Sequence, residues 1–107
     1  LYENRAVSAG AKKRPDGKWE VTIRAHAGKV RANEVGEEQP AVLDDWIEFG
    51  VDDRHGSALV RERRRVTGAE QQVTLVVDVA PARAGIDPDN KLVDRKPGDN
   101  MVAVDNL

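Results

Sequence analysis

Two stretches of this chain alternate strictly between apolar and polar side chains, and that pattern restricts both to pleated strands. From Lys18 to Ala27, Trp19, Val21, Ile23, Ala25 and Ala27 occupy one parity, and Lys18, Glu20, Thr22, Arg24 and His26 the other. From Gln72 onward, Val73, Leu75, Val77 and Val79 fall on one side, against Thr74, Val76 and Asp78. Successive strand side chains point to opposite faces, so each stretch predicts a strand with one dry face. A helix would need apolar spacing of about three and four residues, which neither stretch provides.

Weaker alternation extends the same reading. Glu3 to Lys13 fits a short edge strand rich in small residues, and Arg14-Pro15-Asp16-Gly17 is hairpin-turn chemistry. Gly28 marks a bend, with Val30 and Ala32 continuing the strand. Asn33 to Pro40 is polar and acidic and reads as a connection across the surface. Ala41 to Asp52 puts Ile47, Phe49 and Val51 on one face and Trp46 on the other. Asp52 to Gly56 is an exposed loop, Ser57 to Val66 alternates again, and Thr67-Gly68-Ala69-Glu70 turns the chain. Pro81 removes a ladder donor and ends the Gln72 strand. Asp87-Pro88-Asp89-Asn90 and Pro97-Gly98-Asp99-Asn100 are turns, with a short apolar return at Leu92 and Val93 between them. Met101, Val102 and Val104 supply a last strand. About seven strands separated by such turns predict an all-β, single-domain β-sandwich over residues 1–107, with immunoglobulin-like Greek-key connectivity.

Composition removes several functions. The 107 residues carry a net charge of −2, so no global field draws in nucleic acid. No apolar run approaches the roughly 20 residues of a membrane helix, so direct membrane insertion by this chain is not expected. The absence of cysteine excludes disulfides and thiolate metal sites. Only 4% of residues are aromatic, namely Tyr2, Trp19, Phe49 and Trp46, so each should matter to packing.

The run Ala84-Gly85-Ile86-Asp87-Pro88-Asp89-Asn90-Lys91-Leu92-Val93-Asp94-Arg95, followed by Pro97-Gly98-Asp99-Asn100, resembles the C-terminal end of large bacterial membrane proteins. These join an ABC-type permease region to a zinc metallopeptidase of the aminopeptidase N (gluzincin) class. The likeness includes Asp45-Trp46-Ile47-Glu48-Phe49-Gly50-Val51 and falls on the β-sandwich appended after the catalytic domain. It implies a fragment of a longer, membrane-anchored hydrolase, on the extracytoplasmic (periplasmic) side of the inner membrane. It also implies zinc in the parent's catalytic domain and none in this fragment.

Each candidate site has an ordinary structural explanation. In the run Arg61, Arg63, Arg64 and Arg65, the first, second and last share one strand face, which reads as solvated or as docking an acidic neighbour, since nucleic-acid readers add exposed aromatics or a basic domain. His26 and His55 cannot make the peptidase zinc site, which needs a His-Glu-x-x-His helix that occurs nowhere here. None of the family's zinc ligands, catalytic glutamate or substrate-anchoring residues has a matching position. Ser57 with His55, Asp52 and Asp53 lacks a nucleophile elbow. Asp87, Asp89, Asn90, Asp94, Asp99 and Asn100 offer oxygens suited to Ca²⁺ but not the spacing of a twelve-residue calcium loop, and turn formation accounts for Asp87, Asn90 and Asp99. An Asp94–Arg95 ion pair would pin the returning segment. Trp19 is expected in the core, while Trp46 is open between core and docking surface.

The expectation is therefore a non-catalytic accessory domain packing against a neighbouring peptidase domain of the same chain. An independent peptide- or carbohydrate-binding module is the alternative. The Glu3–Lys13 edge strand would be the place for a dimer between chains.

Overall fold

The computed structural model describes residues 1–106 and is all-β. The strands are β1 (Arg5–Lys13), β2 (Trp19–His26), β3 (Val30–Ala32), β4 (Glu38–Pro40), β5 (Asp45–Asp52), β6 (Ala58–Val66), β7 (Glu70–Val77), β8 (Arg83–Ile86) and β9 (Met101–Asn106). A single 3-10 turn, Pro97–Asp99, precedes β9. Seven strands form one mixed sheet in the order β6-β5-β8-β9-β1-β2-β7, nearly closed into a barrel, and β3 and β4 form a separate ribbon. Every pairing is antiparallel except β1 with β9.

The alternation of the sequence maps directly onto burial. Val21, Ile23 and Ala25 of β2 and Val73, Leu75 and Val77 of β7 lie inside, joined by Ile47, Phe49 and Val51 of β5 and by Ala84 and Ile86 of β8. Trp19 is only half-buried at the margin of this core, with the Lys13 ammonium 5.8 Å from its ring centre. Val79, expected to continue the inner row, is 52% exposed because β7 ends at Val77 and the chain leaves the pleat before Pro81.

β1 is not an edge. It lies between β9 and β2, with Ala9 and Ala11 buried beneath its neighbours. Alanines bury little area individually, so their periodicity reads weakly, but small side chains suit a strand flanked on both sides. The ends of the sheet are β6 and β7. On β6, Val60, Glu62, Arg64 and Val66 share the inward parity of Val51, Phe49, Ile47 and Asp45. Glu62 and Arg64 therefore sit where the barrel fails to close, paired at 3.2 Å, and Arg64 Nη2 donates to the Thr74 carbonyl of β7 at 3.5 Å. Charges on the inner side of an edge strand discourage further strand addition.

The Asn33–Pro40 stretch is also more ordered than a plain connection, since its last three residues pair with β3. Asn33 Oδ1 accepts from the amides of Val35 and Glu37 at 3.1 and 2.9 Å, and Gly36 takes the left-handed conformation that closes the ribbon. An Asx side chain capping its own turn in this way mimics a backbone turn.

Candidate functional site

The outward face of the β5–β6 hairpin sets Trp46 opposite Arg65, Glu48 opposite Arg63, and Gly50 opposite Arg61. Strand alternation forces this arrangement: once Ile47, Phe49 and Val51 are buried, Trp46 and Glu48 must point away. Trp46 is 62% exposed. With Glu48, Arg63, Lys91 and Leu92 it borders an open depression of about 300 Å³.

Much of the charge around this depression is neutralised locally. Arg61 pairs with Asp52 at 2.7 Å and with Asp89 at 3.0 Å. Its hydrogen bond holds the Asp89 carboxyl below the usual carboxylate range. The guanidinium lies over Gly50, where a Cβ would come within 2.7 Å of Pro88 Cγ and closer still to Arg61. Arg65 pairs with Asp44 at 2.8 Å, and Lys91 with Glu48 at 3.3 Å. Arg63 forms no ion pair among the described residues. The depression thus offers an indole face, an unpaired guanidinium beside it and a carboxylate–ammonium pair, a set suited to binding by stacking and hydrogen bonding.

The Asp87 turn forms one wall of the depression. Asp87 is buried, with φ 45°, and its amide donates to the Glu48 carbonyl at 2.6 Å. Its Oδ1 and Oδ2 accept from the amides of Lys91 and Leu92, each at 3.0 Å, and Asn100 Nδ2 donates to its carbonyl at 3.2 Å. The two stretches Asp45–Val51 and Ala84–Asn100 are therefore one structural unit, tied through β5–β8 pairing and through Glu48.

No family model matches the chain, nor does any curated protein or solved structure compared with it.

The other residues singled out in the sequence do not converge. Ser57, His55 and Asp53 form a hairpin turn in which Asp53 Oδ1 accepts from the amides of His55 and Ser57 at 2.8 and 2.9 Å. The Ser57 amide, first among several donors and charges, holds Asp53 below its ordinary value. Asp52 instead faces Arg61. His26 contacts Glu70 at 2.8 Å, far along the sequence from His55, whose Nε2 accepts from Arg54 at 3.2 Å.

The acidic turns are likewise dispersed. Asp87 is occupied by backbone amides and Asp89 by Arg61. Asp94 does not pair with Arg95. Its Oδ2 accepts from the Asn4 amide and its Oδ1 from the Lys96 amide, both at 2.9 Å, so it clamps the N-terminal segment to the 94–96 turn. Arg95 reaches instead to Glu3 at 3.2 Å and to Glu38 on the ribbon. A backbone clamp of this sort has no signature in residue spacing.

A cluster that periodicity did not reveal joins Tyr2, Lys29 and Asp45. The Tyr2 hydroxyl donates to Asp45 Oδ2 at 2.6 Å, and Lys29 Nζ donates to the same oxygen at 3.2 Å while lying 5.3 Å from the Tyr2 ring centre. The Tyr2 hydrogen bond, with help from Lys29, holds Asp45 below the usual carboxylate range. The same carboxylate, acting chiefly by hydrogen bonding, raises Tyr2 and Lys29 above their ordinary values.

Proposed function

We propose that this chain is a non-catalytic accessory β-domain that packs through its Trp46 face against a neighbouring domain of the same polypeptide. One observation carries the reading: in a chain with two tryptophans, one is 62% exposed on an ordered strand beside an unpaired arginine. Exposed aromatic and arginine side chains are what interface centres are enriched in. Structural demands alone would place a polar residue there.

The strand order also supports an immunoglobulin-like Greek-key reading of the fold. β1-β2-β7 and β6-β5-β8-β9 would be the two layers, with β1 bridging them through its parallel pairing with β9. The resemblance of Asp45–Val51 and Ala84–Asn100 to the sandwich of the membrane-anchored aminopeptidase N-like proteins is the ground for proposing a zinc peptidase domain on the periplasmic side as that neighbour. That both stretches border the Trp46 depression is what ties the resemblance to this face.

The test has two arms. The purified chain should release no chromophore from aminoacyl p-nitroanilides, and zinc-dependent turnover by it would overturn a non-catalytic role. In the longer polypeptide, Trp46→Ala should lower the melting temperature of the neighbouring domain while leaving that of the isolated chain unchanged. Equal effects in both contexts would sink the docking face.

A second reading is favoured by the same depression. An indole beside an unpaired guanidinium also suits a free-standing module that binds a peptide or a sugar. Quenching of Trp46 fluorescence by short oligosaccharides or peptides, abolished by Arg63→Gln, would favour this reading over domain docking.

A further inference from the structure

On the other side of the 91–96 segment lies a cleft of about 310 Å³, where β1 begins and β2 ends. It is bordered by Glu3, Asn4, Arg5, His26 and the 94–99 segment. Asn4 is 1% exposed, yet neither its Nδ2 nor its Oδ1 has a hydrogen-bond partner among the described residues. Asp99 Oδ1 is buried in the same condition. Unmade hydrogen bonds on buried polar groups are costly, and native structures contain few of them. Leucine would fill the space of Asn4 without that cost.

The remaining polar groups of the cleft separate into occupied and unoccupied ones. Asp94 is taken up by two backbone amides, Glu3 and Arg95 by each other, and His26 by Glu70. Arg5 and Lys96, both exposed, form no ion pair among the described residues. The unmet groups are therefore one carboxamide needing a donor and an acceptor, one carboxylate oxygen needing a donor, and two free cations.

We propose that this cleft binds the carboxyl-terminal end of an extended polypeptide. The penultimate residue, extended, presents its own N–H and C=O on one edge, where they pair reciprocally with the Asn4 carboxamide, and the terminal carboxylate lies between Arg5 and Lys96. The Asp99 oxygen accepts a further backbone N–H. Inorganic phosphate meets the two cations, but its donors are O–H groups on an anion that the Asp99 carboxylate repels, whereas the peptide brings neutral N–H groups. The cleft volume is at the small end for ligand sites, suited to one or two residues. This site is separate from the Trp46 depression and does not depend on the docking role proposed for it.

The test is a titration of the ¹⁵N-labelled chain with acetyl-glycyl-alanine, with its C-terminal amide and with sodium acetate, followed through the Asn4 side-chain NH₂ resonances and the backbone amides of residues 5, 96 and 99. The free acid should shift these resonances saturably, and the amide should bind at least about tenfold more weakly. Arg5→Gln combined with Lys96→Gln, on the exposed rim, should weaken the free acid by a similar factor, and Asn4→Leu should abolish its binding. Equal responses to acid and amide, acetate acting as strongly as the peptide, or undiminished binding by the rim variant would each overturn the proposal.

Discussion

The Tyr2 hydroxyl donates to Asp45 Oδ2 at 2.6 Å across 43 positions of sequence, fastening the N-terminal segment to the first residue of β5. Lys29, just after β2, donates to the same oxygen, so three separate parts of the chain meet at one carboxylate. The folded pKa of Asp45 is depressed, so its contribution is complete above the unfolded value of about 3.9 and lost as pH falls through the folded one. Tyr2 and Lys29 are raised, so theirs is complete below about 10 and lost as pH rises further. The melting temperature should therefore fall at both extremes. Asp45→Asn should lower the central plateau and flatten both limbs; unchanged limbs in that variant would refute the assignment.

Gly85 faces a harder constraint. The Asn100 carbonyl oxygen stands where a Cβ on Gly85 would project, and Asn100 C and Met101 Cα are within 3 Å of the same point. Backbone at Asn100 and Met101, leading into β9, cannot move aside as a flexible side chain can. Gly85→Ala should destabilise the chain by about 3 kcal/mol or more, at the upper end of overpacking effects, as measured by urea denaturation. Gly98→Ala, with open space at its Cβ, should change stability by no more than roughly 0.5 kcal/mol.

Asp87 holds its turn by accepting two backbone amides from a left-handed backbone position. Removing a partner from a buried donor costs about 1–3 kcal/mol, so Asp87→Ala should lose roughly 2–4 kcal/mol. Asn tolerates φ above zero and keeps one acceptor oxygen, so Asp87→Asn should lose only about half as much. Thermal melts of the two variants give the order directly, and equal losses would refute the role given to the accepted amides.

Trp46 and Trp19 should be separable in solution. Trp46 is largely exposed, whereas Trp19 is half-buried against the core. Trp46→Phe should blue-shift the emission maximum and reduce quenching by acrylamide, while stability stays within about 0.5 kcal/mol. Trp19→Phe should do the reverse spectrally. A buried emission from Trp46 would remove the basis for its docking role.

Local chemistry made much of this fold legible. Apart from the half-buried Trp19, the inward rows of Lys18–Ala27 and Gln72–Val77 are buried as their alternation predicted, and the Asp16-Gly17, Asp53–Gly56 and Asp87–Asn90 turns close where Asx and Gly residues stand. In the Arg61–Arg65 run, Arg61, Arg63 and Arg65 share the outward face of β6 and Arg64 the opposite one, and all but Arg63 pair with nearby acids. The candidate sites were less legible. Trp46 was open between two environments, and neither Asn4 nor the Tyr2–Lys29–Asp45 cluster left any trace in spacing.

By itself, then, the sequence determined the long strands β2, β5 and β7, the main turns and the dry side of those strands, because these depend on a residue and its near neighbours, whereas the short β4 and β8 carry no alternation to read. Tertiary structure alone decided that the alanine strand β1 is central, that β6 and β7 are the edges, and that Asp94 clamps backbone rather than Arg95. Those outcomes depend on which segments meet, and Ala9 of β1 pairs with Val104 of β9 while Asn4 meets Asp94, across 90 residues or more. No local pattern encodes a contact whose two halves are each ordinary.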